Sequence, residues 1–246
     1  MKYGRLSVII IFIVFVSLIF PWSTGYGQSF FDSLTLGLEK QIGAESYQDI
    51  STQSQVIELP KEQMKHLRRI FQRLVDTSSR KGELEFNLSV VKDDSVNAFA
   101  LPGGYVFVHT GLLSFARTDG ELAGVLAHEI AHIDRRHGMK AVGRAVGLSL
   151  LLQLVVNNKD NNTQEQIRKI GGVAINLSQL GYSRENEYEA DRFAVTFMTG
   201  AGYQKQELAN FFRRLETKSG SGPAFLQFLS THPPSSERIN RIEAMR

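Results

Sequence analysis

The chain has 246 residues, 42% of them hydrophobic, and no cysteine. It can bury one sizeable core, while disulfides, thiolate metal sites and a lipid-bearing cysteine anchor are excluded, so a metal would have to be held by His, Asp or Glu. With 28 Lys and Arg against 25 Asp and Glu, the formal charge of +3 is too balanced for a nucleic-acid surface, and none is expected as a partner.

Lys2 and Arg5 precede an apolar run, Val8–Phe20, broken only by Ser17, and Gly25-Tyr26-Gly27 follows as a small-x-small pattern. This is the layout of a secretory signal peptide over residues 1–27, cleaved after Gly27, which sends the mature chain to the periplasm or cell envelope. The alternative is an uncleaved anchor, for which the run falls short of the roughly 20 residues of a full span. Residues 28–55 are mixed and polar and define no element; residues 56–246 form the main domain. There, Pro60 opens an amphipathic helix with Met64, Leu67, Ile70, Phe71, Leu74 and Val75 as its apolar stripe. Lys61, Lys65, Arg68, Arg69 and Arg73 lie opposite, a solvated face or, less simply, a peripheral contact with anionic lipid.

After Lys81-Gly82 the hydrophobic period becomes two: Leu84, Phe86, Leu88 and Val90 alternate with Glu83, Glu85, Asn87 and Ser89, a half-buried strand. Asn97–Leu101 and Tyr105–Thr110 flank Pro102-Gly103-Gly104 and read as a hairpin, giving a small, mainly antiparallel sheet. His109 shares a strand face with Tyr105 and Phe107 and reads as structural.

Thr118-Asp119-Gly120-Glu121 matches a capping box, and the helix that follows, Gly120–Asp134, is apolar almost all round and therefore buried. Set into it is H-E-x-x-H: His128, Glu129 and His132. The two histidines lie about 40° apart around the axis and one turn apart along it. Their imidazoles converge on one point, with Glu129 offset to its side, as in sites that hold zinc and place a carboxylate beside the attacking water. Chance yields this motif in roughly one such chain in a hundred. Val125, Leu126, Ile130, Ala131 and Ile133 nevertheless leave it no solvated face, and buried polar groups need partners. Arg135, Arg136 and Lys140 suit the helix's C-terminal end. Beyond it come a core helix over Ala141–Val156, a mobile loop at Asn157–Asn162 and a helix over Gln164–Leu180.

A catalytic zinc takes three protein ligands. His137 does not supply the third by the extended pattern H-E-x-x-H-x-x-G-x-x-H, which would need glycine where Arg135 stands and histidine where Gly138 stands. The candidates are then a carboxylate or a distant histidine. In Ser183–Arg192, helical phase places Glu187 with Ala190, Asp191, Ala194 and Met198 on a core-like stripe, and Glu185 with Tyr188, Glu189 and Arg192 on a polar one. Glu187 is the glutamate aimed inward, with Asp191 one turn below.

Four blocks occur in order: N-A-F-A-L-P-G-G-Y-V-F-V from Asn97, H-E-I-A-H from His128, S-R-x-x-E-x-E-A-D from Ser183 and S-T-H-P-P-S-S-E-R-I from Ser230. Together they resemble metallopeptidase family 48, which includes HtpX and the CaaX prenyl protease, from about Gln55 to Arg246. The likeness is greatest to the soluble, periplasmic BepA-like bacterial branch. The resemblance implies that His128, His132 and Glu187 hold one zinc ion per chain, that Glu129 is the general base, and that Asp191 supports catalysis beside the site. It also implies that an unfolded or extended polypeptide adds as a strand to an exposed sheet edge at Asn97, Ala98 and Phe99. His232 is a candidate oxyanion donor, a fourth ligand in a resting state, or only a loop cap; Arg238 is a weaker oxyanion candidate. The expectation is an α+β fold, a mainly helical zinc-metalloprotease domain with a small mixed or antiparallel sheet beside the H-E-x-x-H helix. Its activity would be endopeptidase cleavage of misfolded or misassembled cell-envelope proteins, with no stable partner. A zinc-containing holdase or assembly module and a membrane-tethered protease are the alternatives.

Overall fold

A computed structural model describes residues 26–147, 150, 151, 153, 154, 161–218, 226–233 and 236–245. The expected signal peptide therefore lies almost wholly outside the described residues. In chain order the elements are α1 (Tyr26–Gln53), β1 (Val56–Ile57), α2 (Lys61–Val75), β2 (Asn87–Val91), β3 (Ala98–Leu101), a 3-10 turn at Pro102–Gly104, β4 (Tyr105–His109) and α3 (Thr110–Phe115). They continue with α4 (Asp119–Asp134), α5 (His137–Val146), α6 (Asn161–Leu180), α7 (Arg184–Gly200), α8 (Lys205–Lys218), α9 (Leu226–Thr231) and α10 (Ser236–Ala244). The fold is mainly helical with one four-stranded sheet. Two compact units divide the chain, Met1–Leu38 and Glu39–Arg246; the second holds the sheet and every candidate site residue.

The sheet order is β1-β2-β4-β3. β1 and β2 pair antiparallel, as do β3 and β4, whereas β2 and β4 run parallel, so the sheet is mixed. Successive residues of a strand point to opposite faces, and both faces are covered. On one, Phe99, Leu101, Phe107 and Val91 cluster with Ile50 of α1, joined by Tyr47, Tyr105 and Ile175 of α6. Tyr47 stacks on Tyr105 at 4.8 Å and Phe99 on Phe107 at 5.0 Å. On the other, Ala98, Ala100, Val106 and Val108 are buried, and the small alanines of β3 let α4 pack beneath them.

α4 starts as the capping pattern demands, with one shift. Thr118 Oγ1 accepts from the Glu121 amide at 3.1 Å, and Glu121 Oε2 reaches back to the Arg117 amide at 2.7 Å, one residue before the cap. Arg214 of α8 neutralises Glu121 through both carboxylate oxygens. At the other end, buried Asp134 accepts from Ser78 Oγ at 2.7 Å and the Ser79 amide at 2.9 Å. Arg80 Nη1 donates to the Ile133 carbonyl at 3.0 Å, satisfying one of the orphan acceptors of the last turn.

Two expectations change. Residues 28–55, which define no element by pattern, belong for the most part to α1. Its inward face carries Glu39, Ile42, Gly43, Ser46 and Ile50, so polar and small residues interrupt the apolar period. Glu39 is tolerated there because Arg80 Nη1 meets Oε1 at 2.8 Å and Arg136 Nη2 meets Oε2 at 2.8 Å. The single helix expected over Ala141–Val156 is broken: α5 ends at Val146, and Gly147 takes φ 87°, a left-handed helix end that glycine adopts without strain. Asn161 and Asn162 of the expected loop open α6; its residues 157–160 lie outside the described residues.

α1 meets the β3–β4 turn where Gly43 has no side chain: a Cβ there would sit 2.1 Å from the Pro102 carbonyl oxygen. Gly43→Ala should therefore cost about 1–3 kcal/mol by forcing helix and turn apart. Gly172, inside α6, has nothing within 4 Å of an added Cβ, so Gly172→Ala should stabilise by up to about 1 kcal/mol through helix propensity. Denaturant unfolding of the two variants should show shifts of opposite sign.

Candidate active site

α4 and α7 pack side by side and each presents polar residues to the seam. α4 contributes His128, Glu129 and His132; α7, capped by Ser183 Oγ on the Asn186 amide at 3.3 Å, contributes Glu187 and Asp191. The residue just past α9 is His232, and Arg238 stands on α10. All seven are buried, none more than 2% exposed.

One donor atom each from His128, His132, Glu187 and His232 lies within 4.8 Å of all the others. His128 Nε2 is 3.0 Å from His132 Nε2, 3.3 Å from His232 Nδ1 and 3.3 Å from Glu187 Oε2. His132 Nε2 is 3.5 Å from Glu187 Oε1, and His232 Nδ1 is 3.2 Å from both Glu187 oxygens. Zinc with ligands at about 2.0–2.1 Å in a tetrahedron sets neighbouring donors about 3.3–3.4 Å apart, the spacing seen here.

The protons support the same reading. His128 turns Nδ1 to Asp191 Oδ1 at 3.0 Å, in bent geometry, so that nitrogen carries the hydrogen and Nε2 presents a lone pair to the cluster. His132 Nδ1 faces His137 Nδ1 at 2.9 Å, leaving its Nε2 for the cluster too. Lone pairs crowded this closely in a dry interior call for positive charge between them, either protons or a cation. The buried His-His-Glu-His cluster is suited to a single zinc ion.

Without metal, the cluster compensates by protonation. Burial disfavours a charged His128, but Asp191 and Glu187 outweigh it and raise its pKa to about 9. Burial and the neighbouring His128 hold His132 well below the usual imidazole range. Burial alone would raise the Glu187 carboxyl; His232 and His128 reverse this and hold it well below the usual carboxylate range. Burial pushes Glu129 upward. Its Oε1 has no hydrogen-bond partner, and His232 Nε2, itself without one, approaches it at 3.5 Å.

Arg238, expected as an oxyanion candidate, is engaged elsewhere. Its Nε and Nη2 donate to the two oxygens of Asp191 at 2.7 Å each, and Nη1 lies 2.9 Å from Glu187 Oε2. It holds the carboxylates that flank the cluster. β3 is last in the sheet order, but the exposed edge expected there is not found: Asn97, Ala98 and Phe99 are 2%, 0% and 6% exposed, backbone included, because neighbouring elements cover the strand. The His109 amide donates to the Asn97 carbonyl, and Phe99 pairs with Phe107. In an antiparallel ladder this turns the backbone groups of Asn97 and Phe99 toward β4 and those of Ala98 and Ala100 outward. The backbone of Ala100 also contributes a hydrogen bond to the Glu129 carboxylate.

Two residues missed by pattern stand against His132, with a third behind them. His137 accompanies His132 and passes Nε2 to Glu189 Oε2 at 3.0 Å, and the Tyr182 ring stacks on His132 at 4.3 Å. Helical phase assigns Glu189 to the polar face and so gives no sign of this contact. His109, by contrast, contacts Ser95 Oγ at 2.7 Å and is no part of the cluster.

The sequence model of peptidase family M48 matches residues 61–246. The mitochondrial metalloendopeptidase OMA1 of Schizosaccharomyces pombe is 30% identical over 216 residues, covering 87% of this chain and 62% of that protein. A putative beta-barrel assembly-enhancing protease of Vibrio cholerae is 36% identical over 173 residues, 63% of this chain and 33% of that protein. The beta-barrel assembly-enhancing protease of Escherichia coli K12 is 26% identical over 236 residues, 89% of this chain and 47% of that protein. The chain thus spans about a third to three fifths of the length of these curated relatives, which include mitochondrial OMA1 as well as bacterial beta-barrel assembly-enhancing proteases and so do not single out the BepA-like branch.

Arg238 and Asp191 generate a pH prediction for metal-free protein. Burial alone would raise the Asp191 carboxyl, but Arg238 outweighs it and lowers the folded-state value below the ordinary 3.8. The stability it contributes is full above the unfolded value and is lost as pH falls through the lowered folded one. Arg238→Gln removes the cation that bridges two buried carboxylates, leaving them only the neighbouring imidazoles, and should cost about 3–5 kcal/mol. Acid unfolding followed by circular dichroism should accordingly occur at higher pH in the variant than in wild type.

Proposed function

The chain belongs to peptidase family M48, and from that membership we propose that it is a zinc endopeptidase that cuts unfolded or misassembled proteins of the cell envelope. One observation carries the reading: beside a cluster suited to zinc lies Glu129, a buried carboxylate whose Oε1 has no partner. A purely structural zinc site, as in a holdase, has no use for such a group, and leaving it unpaired costs stability.

On this reading His128, His132 and Glu187 are the ligands, and Asp191 orients His128 from behind. Zinc, when bound, supplies a Lewis acid that polarises the scissile carbonyl and eases deprotonation of water. Glu129 takes the proton from the attacking water and hands it to the leaving amine nitrogen.

The substrate adds as a strand along β3, whose backbone groups at Ala98 and Ala100 turn away from β4; both residues are covered in this structure, so binding has to uncover that edge. Recognition through main chain selects extended segments and is tolerant of side chains, as a protease of unfolded proteins requires. His232 closes the cluster as a fourth donor in a resting state: its Nδ1 occupies the position a substrate oxygen would need, and its Nε2 covers Glu129.

The layout of Lys2, Arg5 and Val8–Phe20 supports export, with residues 1–27 as leader and 56–246 as peptidase domain. Among the described residues no helix is long and apolar enough to cross a membrane.

Glu129→Gln should lower casein cleavage by about a hundredfold or more while zinc stays bound, read by metal analysis of the same preparation. Cleavage at the wild-type rate would remove Glu129 from the mechanism. His232→Ala should raise the cleavage rate, because a closed resting population is opened. A fall in rate would instead assign His232 to transition-state stabilisation.

A further inference from the structure

We propose that His137 and Glu189 form a hydrogen-bonded relay that holds His132 in its zinc-binding tautomer; this rests on the zinc reading of the cluster. The contact of 2.9 Å between His132 Nδ1 and His137 Nδ1 has room for one proton. Since His132 presents Nε2 to the cluster, the proton belongs on its own Nδ1, and His137 Nδ1 accepts it. His137 Nε2 then carries hydrogen and donates to Glu189 Oε2 at 3.0 Å. Only this arrangement lets His137 donate to Glu189 Oε2; with the protons reversed, the bare Nε2 of His137 would face that oxygen at 3.0 Å, lone pair against lone pair. With the opposite tautomers, His132 would also point an N–H at His128 Nε2 and Glu187 Oε1, where a metal would need its lone pair.

The backbone is shaped to make the contact. After α4, Arg136 takes φ 57°, a left-handed conformation that side-chain-bearing residues rarely adopt, and His137 immediately begins α5. This reversal folds His137, fully buried, back under His132. Arg136 is tied in place by Glu39 through Nε at 3.0 Å and Nη2 at 2.8 Å. Glu189 is fixed from its outer side, where Arg135 Nε donates to Oε1 at 3.0 Å while its guanidinium lies 4.4 Å over the Phe193 ring.

α7 thereby serves the metal site three times. Glu187 enters the cluster, Asp191 anchors His128 directly, and Glu189 anchors His132 through an inserted imidazole. His137 and Glu189 touch neither metal nor substrate: they are positioning residues, and their effect is on zinc affinity.

The test uses the full mature chain and zinc itself. Metal-free protein is titrated with zinc against a competing chelator for wild type, His137→Leu, His137→Gln and Glu189→Leu. His137→Leu and Glu189→Leu should weaken zinc binding by about 10–100-fold. His137→Gln, which keeps an oxygen acceptor for His132 Nδ1–H, should recover most of it. Equal affinity in wild type and both leucine variants overturns the relay. A wild-type chain that takes up no zinc overturns the underlying reading of the cluster, an outcome the same titration separates. Nitrogen-15 side-chain spectra of zinc-loaded wild type need no variant to fold: His137 as the neutral Nε2–H form supports the relay, and Nδ1–H overturns it.

Discussion

Four lone-pair-bearing groups held 3.0–3.5 Å apart in a dry interior are the constraint on which the rest of this structure depends. In water they would separate; in a low-dielectric interior their mutual repulsion grows and no solvent relieves it. The fold meets this in two ways. It leaves room for one cation at the centre, and it surrounds the cluster with groups that face the ligands outward. Asp191 takes the far nitrogen of His128, His137 that of His132, and Arg238 spreads one guanidinium over both Asp191 and Glu187. Burial alone would neutralise these carboxylates; the surrounding imidazoles and arginine keep them ionised.

Holding such a cluster requires that α4 not shift by even a fraction of a turn. Its N-terminus is clamped by Thr118, Glu121 and Arg214, its C-terminus by Asp134 with Ser78 and Ser79. A second charged knot lies just beyond, where Glu39 of α1 binds Arg80 and Arg136 together. Arg80 in turn caps Ile133, and Arg136 sets the reversal into α5, so one buried glutamate couples α1 to the end of the motif helix and to His137. Removing that glutamate would take the bidentate partner from buried Arg80, which would keep only Glu83 as counter-ion, and the same carboxylate from half-buried Arg136.

The parts legible in sequence are those where one helix carries its own phase. H-E-x-x-H shows which atoms converge because both histidines sit on α4, and the stripe of Glu187, Ala190, Asp191, Ala194 and Met198 shows which way α7 turns. What is not legible depends on contacts between elements. α1 escapes because its inner face includes Glu39 and Gly43, whose suitability there is decided by Arg80, Arg136 and the Pro102 carbonyl. The His137–Glu189 contact escapes because the rejected ligand spacing does not address a histidine that supports another histidine. The strand pattern of Asn97–Leu101 places the edge, but only register against β4 tells that Ala98 and Ala100, not Asn97 and Phe99, turn their amides outward. The parallel pairing of β2 with β4 is likewise a property of topology that neither strand's alternation encodes.

Four protein donors make a structural zinc site, and three with an opening make a catalytic one, so the character of this centre rests on a single side chain. The four are not held alike. His128 and His132 stand on a sixteen-residue helix with carboxylate or imidazole partners behind them, and Glu187 stands on a seventeen-residue helix with Arg238 against it. His232 lies past the end of the six-residue α9, its ring tilted against Phe228 with centroids 5.1 Å apart. Its Nδ1 points to the cluster, and its Nε2 approaches Glu129 at 3.5 Å without forming a hydrogen bond. Nothing grips its outer nitrogen as Asp191 and His137 grip those of the other two histidines. A donor without an anchor behind it is the one that leaves at least cost, and the two groups its departure uncovers are the fourth position and the free oxygen of Glu129. The least anchored donor of the cluster and the carboxylate oxygen without a partner are thus neighbours, so whatever displaces His232 opens both at once.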